Sequence, residues 1–275
     1  MSNREHDEYV LGTNDAELER LGFQHRVWSE QAFAIWDRAG FTYGQQLLDL
    51  GSGPGFATLD LARIVGPQGR IVAVDASARF LQYLRARQQA EQIKNVESVE
   101  LDVHELNLPK GSFDGAYARW VLCFVADPGR VIANVAAALR PGGVFAVQDY
   151  FNYVSLSLAP RSAIMEKVVK AVDASWRARG GDPDVMARVP AMMTAAGMRV
   201  REIRPQCRVA RPGSLLWQWP TTFFRNFVPT LVESGHLTTA DQNAFEAEWT
   251  ARSQDANSFF CTPPVYDIIG EKIAK

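Results

Sequence analysis

Hydrophobic positions change rhythm twice along the chain and divide it into three parts. Up to residue 44, Leu18, Leu21, Val27, Phe33 and Trp36 are spread through a polar stretch with no strand alternation, and Gly40 and Gly44 close it. This pattern predicts an N-terminal helical segment over 1–44. From 45 to 150, short apolar runs at 47–50, 71–74, 96–101, 113–118 and 143–148 alternate with helical stretches near 56–65, 77–92 and 128–139. Strands that are apolar almost throughout, separated by helices, bury both faces of a parallel sheet. The middle part therefore reads as a doubly wound α/β core.

After residue 150 the rhythm breaks, and 151–275 reads as cap helices followed by the final sheet strands. Ile164, Met165, Val168, Val169, Val172 and Trp176 share one helical face, which Gly180 and Gly181 terminate. A second helix is expected over 184–196, stopped by Gly197, and a strand within 198–210. Leu215, Trp219, Phe223, Phe227 and Leu231 recur every four residues, but Pro220 and Pro229 interrupt them. Because proline removes a helix hydrogen bond and clashes with the preceding turn, two short helices are expected there. A polar helix over 239–253 and a last strand within 258–269 complete the chain. The expected fold is α/β: a Rossmann-like, doubly wound, mostly parallel seven-stranded sheet with a helical cap.

The bulk numbers narrow the function without choosing it. The 275 residues are 47% hydrophobic and 22% charged, with a net charge of −2, an ordinary globular balance. No charge excess points to nucleic acid or an anionic membrane. Cys123, Cys207 and Cys261 are sparse and odd in number, which favours a reducing compartment over a disulfide framework. The first ten residues are charged and do not resemble a signal peptide. No run approaches the roughly 18 apolar residues of a spanning helix. A cytoplasmic protein without membrane insertion is expected; its oligomeric state is not legible.

The chemistry concentrates in LLDLGSGPG, residues 47–55. An apolar strand carries Asp49 near its end, Gly51, Gly53 and Gly55 follow around Ser52, and a helix begins. Glycines let the backbone turn tightly and approach a ligand, and the helix behind them presents free N–H groups. In doubly wound sheets the ligand crevice lies at these carboxyl strand ends. Asp75, followed by Ala76, ends the next strand, 24 residues after Gly51, where a carboxylate can accept from two ribose hydroxyls. Asp102 and Val103 end the third, where an adenine ring would lie. The dinucleotide fingerprint needs G-x-G-x-x-G, but Phe56 occupies the third glycine position. Asp49 beside the loop also disfavours a pyrophosphate and suits an ammonium group. The expected ligand joins adenosine to an amino acid.

These segments resemble the class I S-adenosylmethionine-dependent methyltransferases, in particular the group related to ubiquinone and menaquinone biosynthesis. LLDLGSGPG, VAVDAS, LDVHELNLPKGSFDGAYARWVL and LRPGGVFAVQD follow that family's order over about 45–150. The resemblance implies S-adenosylmethionine as cofactor, with S-adenosylhomocysteine as product. It implies cofactor contacts from Asp49, Gly51, Ser52, Gly53, Gly55, Asp75, Ala76, Asp102, Val103, Ala118 and Arg119. Gln24 and Trp28 of the N-terminal segment are expected to close over it.

Transfer of a methyl group to an O, N or C nucleophile of a small-molecule metabolite follows as the expected activity. In-line displacement from a sulfonium needs orientation and exclusion of water more than it needs a triad. Asp149 and Tyr150, at the end of the fifth strand, and the more remote His236 are the candidate catalytic groups. Tyr153, Trp217 and Phe223 are candidate substrate contacts. His6, His25, His104 and His236 show no metal-ligand spacing and read as surface or structural residues, so no metal is expected. Nucleic acid is disfavoured as substrate, because the Asn/Asp-Pro-Pro-aromatic motif of related DNA enzymes is replaced by Ala118-Arg119-Trp120 and Thr262-Pro263-Pro264-Val265 is at the wrong place. Two alternatives stay open: a non-catalytic S-adenosylmethionine sensor or scaffold, and a nucleotide-dependent oxidoreductase.

Overall fold

A computed structural model describes residues 13–274; the charged N-terminal stretch and His6 lie outside the described residues. The long helix α1 (Asp15–Ala39) comes first. The Asn14 side chain caps it by accepting from the Glu17 N–H, and Gly40 closes it at φ 77°, a left-handed conformation that costs glycine little.

Then follow β1 (Gln46–Leu50), α2 (Phe56–Val65), β2 (Arg70–Asp75), α3 (Ala78–Ala90), β3 (Val96–Glu100), β4 (Phe113–Arg119), α4 (Pro128–Ala138) and β5 (Leu139–Tyr150). The remainder is β6 (Ser157–Ala159), α5 (Ala163–Ala178), α6 (Val189–Ala195), β7 (Met198–Gln206), β8 (Val209–Ala210), α7 (Leu215–Glu233), α8 (Thr239–Gln254), β9 (Phe259–Cys261) and β10 (Val265–Lys272). The main sheet has seven strands in the order β3-β2-β1-β4-β5-β10-β7. Its first five strands are parallel, and β10 runs antiparallel to both β5 and β7. This is the expected mostly parallel, doubly wound architecture.

Both faces are covered over the middle of the sheet, which is why β1 and β2 are apolar almost throughout, whereas the edge strands β3 and β7 are polar and partly exposed. On one face, Ala32, Ile35 and Trp36 of α1 and Leu61 and Val65 of α2 pack on Leu47, Ile71 and Tyr117. On the other, Leu48, Leu50, Val72 and Val147 join Val131, Ile132 and Val135 of α4. That second cluster continues without a break into the cap, reaching Val168 and Val172 of α5, Phe227 and Leu231 of α7, and Trp249 of α8.

Three expectations about the C-terminal part need correction. Leu215–Glu233 is one helix, with Pro220 and Pro229 inside it. Burial of Leu216, Trp217, Trp219, Phe224, Phe227, Val228 and Leu231 along its length outweighs the two lost backbone hydrogen bonds, as tertiary packing often overrides propensity. The helix expected over 184–196 is instead a 3₁₀ turn, Val185–Ala187, followed by α6, which carries Pro190 in its first turn, where proline is tolerated. The expected strands within 198–210 and 258–269 are each split between two sheets. β7 and β10 extend the main sheet, whereas β8 and β9 join β6 in a three-stranded sheet, β6-β9-β8, that the sequence pattern did not reveal. Pro263 and Pro264 fall at the junction between β9 and β10. Pro205 is accommodated because β7 is an edge strand.

Candidate functional site

The glycine loop after β1 is held from two sides. Its three glycines all have positive φ: 56° at Gly51, 53° at Gly53 and 82° at Gly55. A Cβ at Gly51 would lie 2.5 Å from the Val121 side chain and one at Gly55 2.3 Å from Leu84, whereas Gly53 faces open space. Two glycines therefore serve close packing, and the middle one leaves room above the loop. Asp75, at the tip of β2, anchors it: Oδ2 accepts the Gly53 N–H at 2.7 Å and Oδ1 the Ser77 N–H at 2.8 Å. Burial pushes the Asp75 carboxyl up, partly offset by these two N–H donors. A carboxylate has about four acceptor positions, so Asp75 keeps capacity for ligand hydroxyls.

Asp49 lies buried beneath the loop and accepts from Thr58 Oγ1 at 2.6 Å. Burial pushes its carboxyl up to about 7, with Asp75 adding to the rise and Thr58 and Arg119 opposing it. At the third strand tip, Asp102 caps the 3₁₀ turn Val103–Glu105 and stays half-exposed. Partial burial would raise its carboxyl, but hydrogen bonds from the His104 N–H and ring Nδ1, both at 2.8 Å, hold it below the ordinary value. His104 Nε2 accepts the Asp127 N–H at 3.3 Å, so His104 braces this loop. Val103 is buried.

The tip of β4 brings Ala118, Arg119 and Trp120 beside the loop, since Leu50 pairs with Ala118 in the parallel register. Arg119 Nη2 lies 2.8 Å from His25 Nδ1, and its guanidinium stacks on Trp120 at 5.1 Å. Arg119 Nη1 and the Ser52 hydroxyl are buried and have no hydrogen-bond partner among the described residues. The loop thus offers two unsatisfied donors, two carboxylates and an uncrowded glycine. That donor set fits a nucleoside bearing a zwitterionic amino acid.

Beside these tips, at the carboxyl end of the sheet, a cavity encloses about 520 Å³ of empty space, open solvent at its mouth included. Trp120 and Tyr150 supply its sheet side, Trp176 comes from α5, and Trp219 and Phe223 come from α7. Tyr153 closes the row, with its ring centroid 5.1 Å from Tyr150 and 5.0 Å from Trp176. Arg20 and Gln24 of α1 form the polar corner. Arg20 is paired with Glu17 through two contacts of 2.6 Å. Burial pushes the Glu17 carboxyl up, opposed by that pair. Trp28 is buried at the same junction, edge-on to both Trp120 and Trp219.

Of the residues singled out from sequence, the structure gathers Asp49, Ser52, Gly53, Asp75, Ala118 and Arg119 around the loop. Asp102 and Val103 lie at the next strand tip, and Ala76 directly follows Asp75. Gln24, Tyr150, Tyr153 and Phe223 line the cavity. Three others stand apart. Asp149 is fully buried, accepts from the Cys123 and Tyr150 backbone N–H groups, and is pushed up to about 6 by burial; it braces the end of β5. Trp217 stacks on Trp249 at 4.9 Å, with its indole N–H on Ser253, away from the cavity. His236 follows the end of α7 and is held by Ser234. Sequence reasoning missed Trp120, Trp176 and Trp219. The four-residue row through Trp219 and Phe223 was the signal for Trp219, whereas nothing local marks Trp120, whose φ is 53°.

Residues 48–147 match the family model of the methyltransferase domain. An uncharacterised 37.1 kDa protein in transposon TN4556 of Streptomyces fradiae is 44% identical over 101 residues, 36% of this chain and 28% of that protein. Demethylmenaquinone methyltransferase of Symbiobacterium thermophilum is 30% identical over 150 residues, 52% of this chain and 60% of that enzyme. The chain thus spans only part of the curated relatives it matches. The crystal structure of a putative methyltransferase from Bacillus halodurans superposes with a TM-score of 0.63 at 14% identity, over 89% of this chain and all of that one, a likeness of fold. The matched domain, the strand order and the glycine loop agree: residues 48–147 are similar to the methyltransferase domain and lie within a Rossmann-like, mostly parallel seven-stranded fold.

Proposed function

We propose that this chain is an enzyme that transfers the methyl group of S-adenosylmethionine to a small, largely apolar molecule held in the aromatic cavity. The observation that carries the proposal is adjacency. Arg119 belongs to the loop site and the next residue, Trp120, belongs to the cavity wall, so donor and acceptor sites share a border. Asp75 would take the ribose hydroxyls, Asp102 and Val103 the adenine, Asp49 the ammonium, and Ser52 and Arg119 the carboxylate. When bound, the cofactor supplies an activated methyl group on a sulfonium.

The chain's own contribution is orientation and dryness. Burial pushes the Tyr150 and Tyr153 hydroxyls well above the ordinary tyrosine range, so they stay protonated and act as hydrogen-bond donors to the acceptor. Among the described residues no carboxylate or imidazole lines the cavity. An acceptor that needs no strong base, such as an activated carbon or a neutral amine, therefore suits it better than a simple alcohol. Among the described residues no group of three or more metal-ligating side chains gathers, and no helix is long and apolar enough to cross a membrane.

The test is incubation with methyl-labelled S-adenosylmethionine and a small-molecule extract. Label should move into an apolar, organic-extractable product. Tight cofactor binding with no transfer to any fraction would leave a sensor or scaffold in place of an enzyme.

A further inference from the structure

Arg119 is the end of a chain of contacts that reaches two helices away. Its Nη2 meets His25 Nδ1 of α1 at 2.8 Å, and His25 Nε2 meets Asp60 Oδ2 of α2 at 2.9 Å. Asp60 is itself fixed, its other oxygen taking Arg63 Nη1 at 2.6 Å. A guanidinium has only donors, so His25 Nδ1 must accept and the ring proton must sit on Nε2, where it is donated to Asp60. The His25 side chain is 10% exposed and its ring stacks on Phe56, the first residue of α2, at a centroid distance of 6.1 Å. Charges facing it are Asp60, Arg119 and Arg26; burial is the largest influence and pushes its pKa down, which preserves the neutral ring the contact needs.

We propose that His25 and Asp60 are positioning residues that hold Arg119 so that its second terminal nitrogen receives the carboxylate of the cofactor's amino-acid end. This rests on the cofactor assignment above. One guanidinium nitrogen is spent on His25, and the other, Nη1, is buried without a partner. An unpaired buried donor is unfavourable, and a carboxylate is the acceptor that best matches a guanidinium. The Ser52 hydroxyl, equally unpartnered, stands on the adjoining strand tip. Asp49 is close enough to feel the Arg119 charge, so the site pairs one cation with one anion, the complement of an α-amino acid. The His25 ring fixes which way Arg119 points; it touches no ligand itself.

Calorimetric affinities for S-adenosylhomocysteine and 5′-methylthioadenosine, which lacks the amino acid, test the assignment. His25→Phe keeps the ring stack and loses both hydrogen bonds. It should weaken S-adenosylhomocysteine at least fivefold and leave 5′-methylthioadenosine within twofold. His25→Asn, whose amide oxygen can replace Nδ1, should recover part of the loss, and Asp60→Asn should weaken binding in the same selective direction. Thermal melts identify any variant that is simply unfolded, in which case the remaining two decide. Equal loss for both ligands, or unchanged affinity for S-adenosylhomocysteine, would overturn the positioning role. A wild-type protein that binds neither ligand would overturn the cofactor assignment, and this inference with it.

Discussion

The Gln24 amide oxygen accepts a hydrogen bond from Trp219 Nε1 at 2.9 Å, joining α1 to α7 on the wall of the cavity. The same oxygen takes Arg20 Nη1 at 3.0 Å, so one amide gathers an indole and an ion-paired guanidinium. Gln24→Leu leaves the indole N–H without that acceptor in a mostly buried place. A loss of about 1–3 kcal/mol is expected, the cost of stranding a buried polar group. Denaturant midpoints at constant slope measure it; an unchanged midpoint would mean the contact contributes nothing.

Trp217 and Trp219, two residues apart, should behave differently. Trp217 packs on Trp249 outside the cavity, so Trp217→Ala should cost about 3–5 kcal/mol of stability, as for a large buried aromatic. Trp219→Phe keeps most of the volume and removes the indole N–H from the cavity wall. Once an acceptor is known, this change should raise its KM several-fold while cofactor affinity stays within twofold. Steady-state kinetics and calorimetry separate the two residues.

Asp49 makes stability and binding depend on pH in a defined direction. Its carboxyl is pushed up to about 7 in the folded chain from an ordinary value of 3.8, so between those values the folded form holds a proton that the unfolded form has lost. Its contribution to stability is fully present below the ordinary value and is lost as pH rises through about 7. Asp49→Asn should flatten that decline in pH-dependent melts. A cofactor ammonium beside Asp49 favours the ionised carboxylate, so binding near pH 6 should release protons. Calorimetry in two buffers of different ionisation enthalpy would detect it, and the mutant should release fewer.

Gly53 and Asp75 form the joint between the loop and β2. Gly53→Ala places a methyl group where the structure leaves open space, at a backbone φ of 53° that costs a non-glycine residue roughly 1–2 kcal/mol. The protein should fold and bind the cofactor much more weakly. Asp75→Ala removes both the loop anchor and the proposed ribose acceptor, and affinity should fall at least tenfold, on the order of 1.5–3 kcal/mol for charged hydrogen bonds. Unchanged calorimetric affinity in both variants would put the ligand elsewhere.

The parts legible from sequence were those that short-range chemistry determines. LLDLGSGPG announces a strand, a tight turn and a helix in nine residues, and Asp75 and Asp102 recur at the next two strand ends. The cap obeyed longer-range terms. Pro220 and Pro229 argue locally against α7, and only its neighbours' burial shows why the helix persists. The Cys261–Val265 stretch gives no local hint that its two ends enter different sheets. His25 read as structural because its partners, Asp60 and Arg119, are 35 and 94 residues away.

The unbroken apolar cluster from Leu48 and Val147 of the sheet to Leu231 and Trp249 of the cap has an evolutionary consequence. Phe224 and Tyr150 are at once cavity wall and members of that cluster. If the cavity holds the acceptor as proposed, changes at such positions would alter acceptor preference and the cement between the two halves together. New specificities would arise through compensated pairs of changes more readily than through single ones, and lineages starting from a sturdier scaffold would have more of them within reach.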